Sequence, residues 1–156
     1  AKPVPVSAAR LGRPRRDFVL VAAAGPASNL LLALVAGVVL MLLPVSPVVL
    51  GQPNVSVPLA SLFTRAVQIN VFLAVFNMMP IPPLDGGRVA VGLLPRVLAI
   101  PLARLEPFGM LILIGILILL PLAGSQFGLN LDVISTILRT TTDYIIRLLL
   151  ILTGNA

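Results

Sequence analysis

Between Phe18 and Leu43 the chain carries no charged side chain. A helix rises about 1.5 Å per residue, so this stretch exceeds the ~20 residues that cross the hydrocarbon core of a bilayer. Lipid offers the backbone no hydrogen-bond partner, so such a segment must close its own bonds as a helix. Composition points the same way: 58% of the 156 residues are hydrophobic and 10% are charged, where soluble domains carry roughly 25% charged residues. A domain this small leaves much of its surface exposed, and water does not suit so apolar a surface. The fold class that follows is an all-α integral membrane protein, a multi-pass helix bundle.

Punctuation along the chain places the remaining elements. The segment 1–17 is basic and proline-containing and reads as an extended connector, with Asp17 placed to cap the helix after it. Within the first span, Gly25, Pro26, Ser28 and Asn29 form a small, polar patch, suited to close helix packing. Pro44 to Pro58 reads as an uncharged loop, and a second span follows over Leu59 to Met79, with Arg65 able to snorkel and Asn70 and Asn77 needing partners. Pro80, Pro82 and Pro83 break that helix, and Asp85-Gly86-Gly87 opens a short one reaching Leu98. Pro101 to Pro107 reads as a polar connection, Phe108 to Leu122 as an apolar run, and Gly124 to Asn130 as a turn. From Leu131 to Leu152, apolar residues at Ile134, Leu138, Ile145, Leu148, Leu149 and Leu152 recur at helical spacing beside Arg139, Asp143 and Arg147. That pattern predicts an interfacial or packed amphipathic helix. The expected division is a connector at 1–17, a transmembrane core at 18–122, and a loop with a C-terminal helix at 123–156.

Charge orients the chain. Lys2, Arg10, Arg13, Arg15 and Arg16 precede the first span, Pro44 to Pro58 carries no charge, and Arg88, Arg96 and Arg104 follow the second. The positive-inside rule then places Ala1 and Asp85 towards the cytoplasm. A net charge of +6 could suggest nucleic acid, but aromatics make up 4% of the chain and the basic residues sit in short loops, so no nucleic-acid partner is expected. The absence of cysteine and histidine excludes disulfides, thiolate chemistry and any complete histidine-dependent site within these residues.

One stretch carries chemistry: Phe76-Asn77-Met78-Met79-Pro80-Ile81-Pro82-Pro83-Leu84-Asp85-Gly86-Gly87-Arg88. A carboxylate at a helix break in the membrane is expensive and is read as functional by default. Prolines remove backbone donors, and glycines admit close approach. Asp85 so placed suits a metal ion or a proton pathway, or serves as the N-cap of the helix beginning at Gly86. Arg88 sits at headgroup level or contacts Asp85.

The pattern Asn77-x-x-Pro80-x-Pro82-x-Leu84-Asp85-Gly86 resembles the second signature of the site-2 protease family, the intramembrane zinc metalloproteases. Ala24-Gly25-Pro26-Ala27-Ser28-Asn29 is similar to the Gly-Pro-x-x-Asn element that precedes it, and Lys2-Pro3-Val4-Pro5-Val6 with Arg15-Arg16-Asp17 to the cytosolic connector of the short bacterial members. The likeness spans Ala1 to Gly109. It implies a zinc ion held by two histidines of an H-E-x-x-H helix and by Asp85, with the glutamate of that helix as general base. It also implies support of the site by Pro80, Pro82, Gly86, Gly87, Gly25, Pro26 and Asn29. Asn77 becomes a candidate to bind substrate or a developing oxyanion.

No H-E-x-x-H occurs here, since there is no histidine. Those residues are expected upstream of Ala1, and this fragment alone is expected to bind no catalytic zinc and to be inactive. The implied function is a zinc-dependent endopeptidase acting on transmembrane proteins or peptides, in the lipid bilayer of a bacterial inner membrane. The alternatives are a catalytically dead homologue that binds membrane segments, and a transporter or proton-relay protein using Asp85. Substrate, pathway and oligomeric state are not written in the sequence.

Overall fold

The structure, a computed structural model, describes residues 14–43, 56–128 and 132–154. Helix α1 (Pro14–Leu42) begins earlier than Phe18, because Pro14 is tolerated in a first helical turn and Arg15 and Arg16 are good helix formers. Asp17 therefore lies inside the first turn instead of capping it, where a negative charge still favours the positive end of the helix dipole. Helix α2 (Ser56–Asn77) likewise starts before Leu59. The expected loop over Pro44 to Pro58 falls, from 44 to 55, outside the described residues, as does the expected connector over 1–13.

After α2 come turns over 78–84 and then α3 (Asp85–Leu93). Expected to run on to Leu98, α3 ends at Leu93, because Pro95 cannot donate to a helix continuing through it. A separate helix, α4 (Arg96–Arg104), follows and includes Pro101, so part of the expected polar connection is helical. A 3-10 turn at Glu106–Phe108 leads into α5 (Gly109–Ile114), a π-helical segment Gly115–Leu119 and α6 (Leu120–Gln126). The helix thus runs past Leu122, and Ser125 satisfies its hydroxyl by donating to the Leu122 carbonyl at 2.7 Å. Helix α7 (Val133–Leu152) completes the fold, with no strand among the described residues.

Among the described residues, three helical stretches are long and apolar enough to cross a membrane: Arg16–Leu42, Pro58–Asn77 and Arg96–Gln126. Their outward faces carry large exposed side chains such as Leu20, Leu31, Leu62, Ile69 and Leu111. In water this would be a large apolar patch; in lipid it is the expected surface.

Small residues decide how α1 meets α2. Ala22, Pro26, Ala33, Ala36 and Gly37 are its buried positions, and they share one face at helical spacing. Val67, Val71 and Ala74 of α2 are buried opposite, with Ala33, Ala36, Val67 and Val71 forming the core cluster. Bilayer lipid is as apolar as these side chains, so close van der Waals packing holds the pair. Helix α7 lays Ile145, Ile146 and Leu149 against that cluster and leaves Arg139, Asp143 and Arg147 exposed; it is a packed amphipathic helix. Asn70 and Asn77 bond within their own helix, donating to the carbonyls of Ala66 (2.8 Å) and Leu73 (2.9 Å), so neither needs an interhelical partner for that proton.

Candidate metal centre

The turn before Asp85 is built from prolines held by glycines. Met78 and Met79 donate back to the carbonyls of Ala74 and Phe76, while Ile81 donates to Met79 and Leu84 to Ile81. Pro80, Pro82 and Pro83 need no such bond, lacking an N–H. Pro82 is buried and Pro80 exposed; the bond between Pro82 and Pro83 is cis. Gly86 packs directly under the carbonyls of Met78 and Met79, leaving no room for a side chain. A Cβ on Gly87 would lie 2.9 Å from the Pro82 nitrogen and 3.0 Å from the Ile81 carbonyl carbon.

A third glycine completes the cradle, one that the sequence did not single out. A Cβ on Gly109 would lie 2.6 Å from the Pro83 nitrogen, so the start of α5 supports the turn from the far side. Nothing local marks Gly109, which opens an ordinary apolar run; only the fold reveals its neighbour.

Asp85 is the first residue of α3, half-buried, with Leu84 in the N-cap position. No side-chain cap bond is made there; Leu84 supplies only its carbonyl, to Gly87 N–H at 3.0 Å and more loosely to Arg88. The N-cap reading of Asp85 is therefore not what the structure contains. Among the described residues, no hydrogen bond or ion pair engages its carboxylate. Arg88 turns elsewhere: its Nε and Nη2 reach Glu106 Oε1 at 3.1 and 3.0 Å, tying α3 to the 3-10 turn. This pair edges a cavity of about 170 Å³ lined by Phe18, Pro82, Pro83, Leu84 and Val91 among others.

The carboxylate meets α1. A Cβ on Gly25 would lie 2.9 Å from Asp85 Oδ2, so the two sequence elements quoted above touch through these residues. Pro26 is buried beside Gly25, and Asn29 lies one turn along, half-buried. Pro26 cannot donate to the helix, and Ser28 Oγ donates to the Gly25 carbonyl at 2.7 Å. Asn77, last in α2, is half-buried.

As donors go, Asp85 presents two carboxylate oxygens of the kind zinc accepts. The residues present thus fit one ligand position. Among the described residues no three His, Cys, Asp or Glu side chains cluster, and the sequence contains neither His nor Cys.

Comparison with known proteins accords with the motif. The model of "Peptidase family M50" matches residues 7–122. The Bacillus subtilis (strain 168) protein named "Putative zinc metalloprotease YwhC" is 34% identical over 124 residues, covering 80% of this chain. The chain spans 56% of that relative's length. No solved structure matches. With the family model covering most of the helical core and both motifs within it, the chain belongs to peptidase family M50, the site-2 protease family.

Proposed function

We propose that Asp85 is one ligand of a catalytic zinc ion in an intramembrane endopeptidase that hydrolyses peptide bonds of transmembrane substrates. The observation that carries this reading is the Asp85 carboxylate itself: half-buried after a proline-rich turn, touching α1, and engaged by no hydrogen bond or ion pair among the described residues. A carboxylate in the apolar part of a membrane costs about 2.5–3.5 kcal/mol on insertion scales, and a metal ion is the partner that offsets it. The family, and the zinc metalloprotease named among its relatives, support the same assignment.

The 156 residues contain no histidine, so the other ligands and the general base come from outside them, and this chain alone is inactive. Zinc, when bound, lowers the pKa of its water and polarises a carbonyl. The chain's own residues fix geometry. Pro80 and Pro82 shape the turn, Gly86 and Gly87 let α3 start directly beneath it, and Gly25, Pro26 and Asn29 form the wall on α1. Asn77 has spent one amide proton on Leu73; its second N–H and its Oδ1 are available to a substrate backbone or a developing oxyanion. Substrates reach this site as locally unwound segments, because a helix hides its peptide bonds. The site faces the cytoplasm from a bacterial inner membrane, as the Arg15, Arg16, Arg88, Arg96 and Arg104 distribution favours.

The test is cleavage of a synthetic single-span peptide with a central Gly-Pro pair, reconstituted with the full-length protein in liposomes. Zinc-dependent cleavage, reduced at least about a hundredfold by Asp85→Ala, is expected. Undiminished cleavage by Asp85→Ala contradicts the proposal. Peptide binding without zinc or cleavage identifies a non-catalytic homologue.

A further inference from the structure

We infer that Gly25 is a positioning residue for Asp85: the missing side chain on α1 lets the carboxylate stand where zinc needs it. The inference rests on the zinc-ligand reading above and adds a second residue to it.

The contact is specific. Of the atoms that a Cβ at Gly25 would meet, the two nearest both belong to the Asp85 carboxyl group, Oδ2 at 2.9 Å and Cγ at 3.9 Å. Among the described residues, and apart from the residues on either side of Gly25 and the backbone of α1 around it, no backbone atom comes within 4 Å of that point. This sets Gly25 apart from Gly86, Gly87 and Gly109, whose added methyl groups would strike backbone. At those three positions the fold must give way; at Gly25 only the tip of Asp85 must.

That difference separates stability from geometry. Alanine is a better helix former than glycine, and Gly25 sits inside α1 with no positive φ. Gly25 precedes Pro26, where a new Cβ crowds the proline ring and offsets the propensity gain, so a Gly25→Ala helix is about as stable locally. At 2.9 Å the contact is too close to keep. The carboxylate must swing away by about half an ångström or more to reach ordinary van der Waals distance, at little cost to the fold. A metal ligand, however, must be held within about 0.5 Å of its working position by its surroundings, so the shift falls on metal affinity.

The experiment is a cycle of zinc affinities, measured by chelator competition on the full-length protein in detergent. It compares the wild type, Gly25→Ala, Gly25→Val, Asp85→Ala and Gly25→Ala/Asp85→Ala, with thermal midpoints recorded alongside. Gly25→Ala is expected to weaken zinc binding about tenfold, the lower end for residues that support a ligand, and Gly25→Val more. The Gly25→Ala midpoint stays close to the wild-type value, and Gly25→Ala adds nothing once Asp85 is alanine. Undiminished zinc affinity in both Gly25 variants overturns the inference. So does a loss of the same size with and without Asp85, which marks a general packing role. If Asp85→Ala itself leaves zinc affinity unchanged, the ligand assignment fails, and this inference with it.

Discussion

Gly86 lies beneath the Met78 carbonyl with no space for even a methyl group between them. Gly115, in the π-helical segment, has among the described residues no heavy atom from beyond its own stretch of helix within 4 Å of where its Cβ would be. The contrast gives a matched pair. Gly86→Ala forces backbone apart and is expected to destabilise by about 1–3 kcal/mol or more. Gly115→Ala is expected to be neutral or to stabilise by up to about 1 kcal/mol, through helix propensity. Equilibrium unfolding in mixed micelles measures both; equal effects would mean that the turn does not rest on Gly86.

The Arg88–Glu106 pair is short, but its side chains are 46% and 48% exposed. An ion pair so open to its surroundings contributes about 0–1 kcal/mol. A double-mutant cycle of Arg88→Ala and Glu106→Ala should return a coupling in that range, with zinc content unaltered. A loss of zinc in Arg88→Ala alone would mean that the guanidinium serves Asp85 after all.

Helices α1 and α2 meet through residues that cannot grow. Ala33 has no exposed surface and faces Val67 and Val71. Ala33→Leu is expected to cost about 1–3 kcal/mol by overpacking. Leu31→Ala, at an outward position that is 61% exposed, should change stability by no more than about 0.5 kcal/mol. The same unfolding assay distinguishes them.

Thr142 is 8% exposed, and its hydroxyl has no hydrogen-bond partner among the described residues. The nearly isosteric Thr142→Val removes a buried polar group left unsatisfied, so stability should hold or rise by about 1 kcal/mol. A fall of that size would reveal a partner for the hydroxyl.

These sites also show what the sequence made legible. A long uncharged stretch marked α1, and an apolar run interrupted only by the snorkelling Arg65 marked α2, each to within a few residues, since such stretches have one stable outcome in lipid. Their starts were misplaced because Arg15, Arg16 and Pro58 read as flanks, although such residues are accepted in a first helical turn. Pro95 ended α3 at Leu93 where a helix reaching Leu98 was expected, and Gly124 with Ser125 read as a turn where a helix continued. The motif residues around Asp85 were identifiable one by one. Their arrangement was not: the Gly109 cradle, the Arg88–Glu106 pair and the Gly25–Asp85 approach are contacts between elements far apart in the chain, and one sequence does not encode a distance.

Zinc X-ray absorption on the full-length protein, comparing wild type with Asp85→Cys, decides whether Asp85 is a zinc ligand. A ligand at position 85 predicts that a Zn–S distance near 2.3 Å appears on substitution, replacing one Zn–O contact at about 2.0–2.2 Å. Bound zinc whose coordination shell is the same in both proteins would contradict the account, because Asp85 would then not touch the metal.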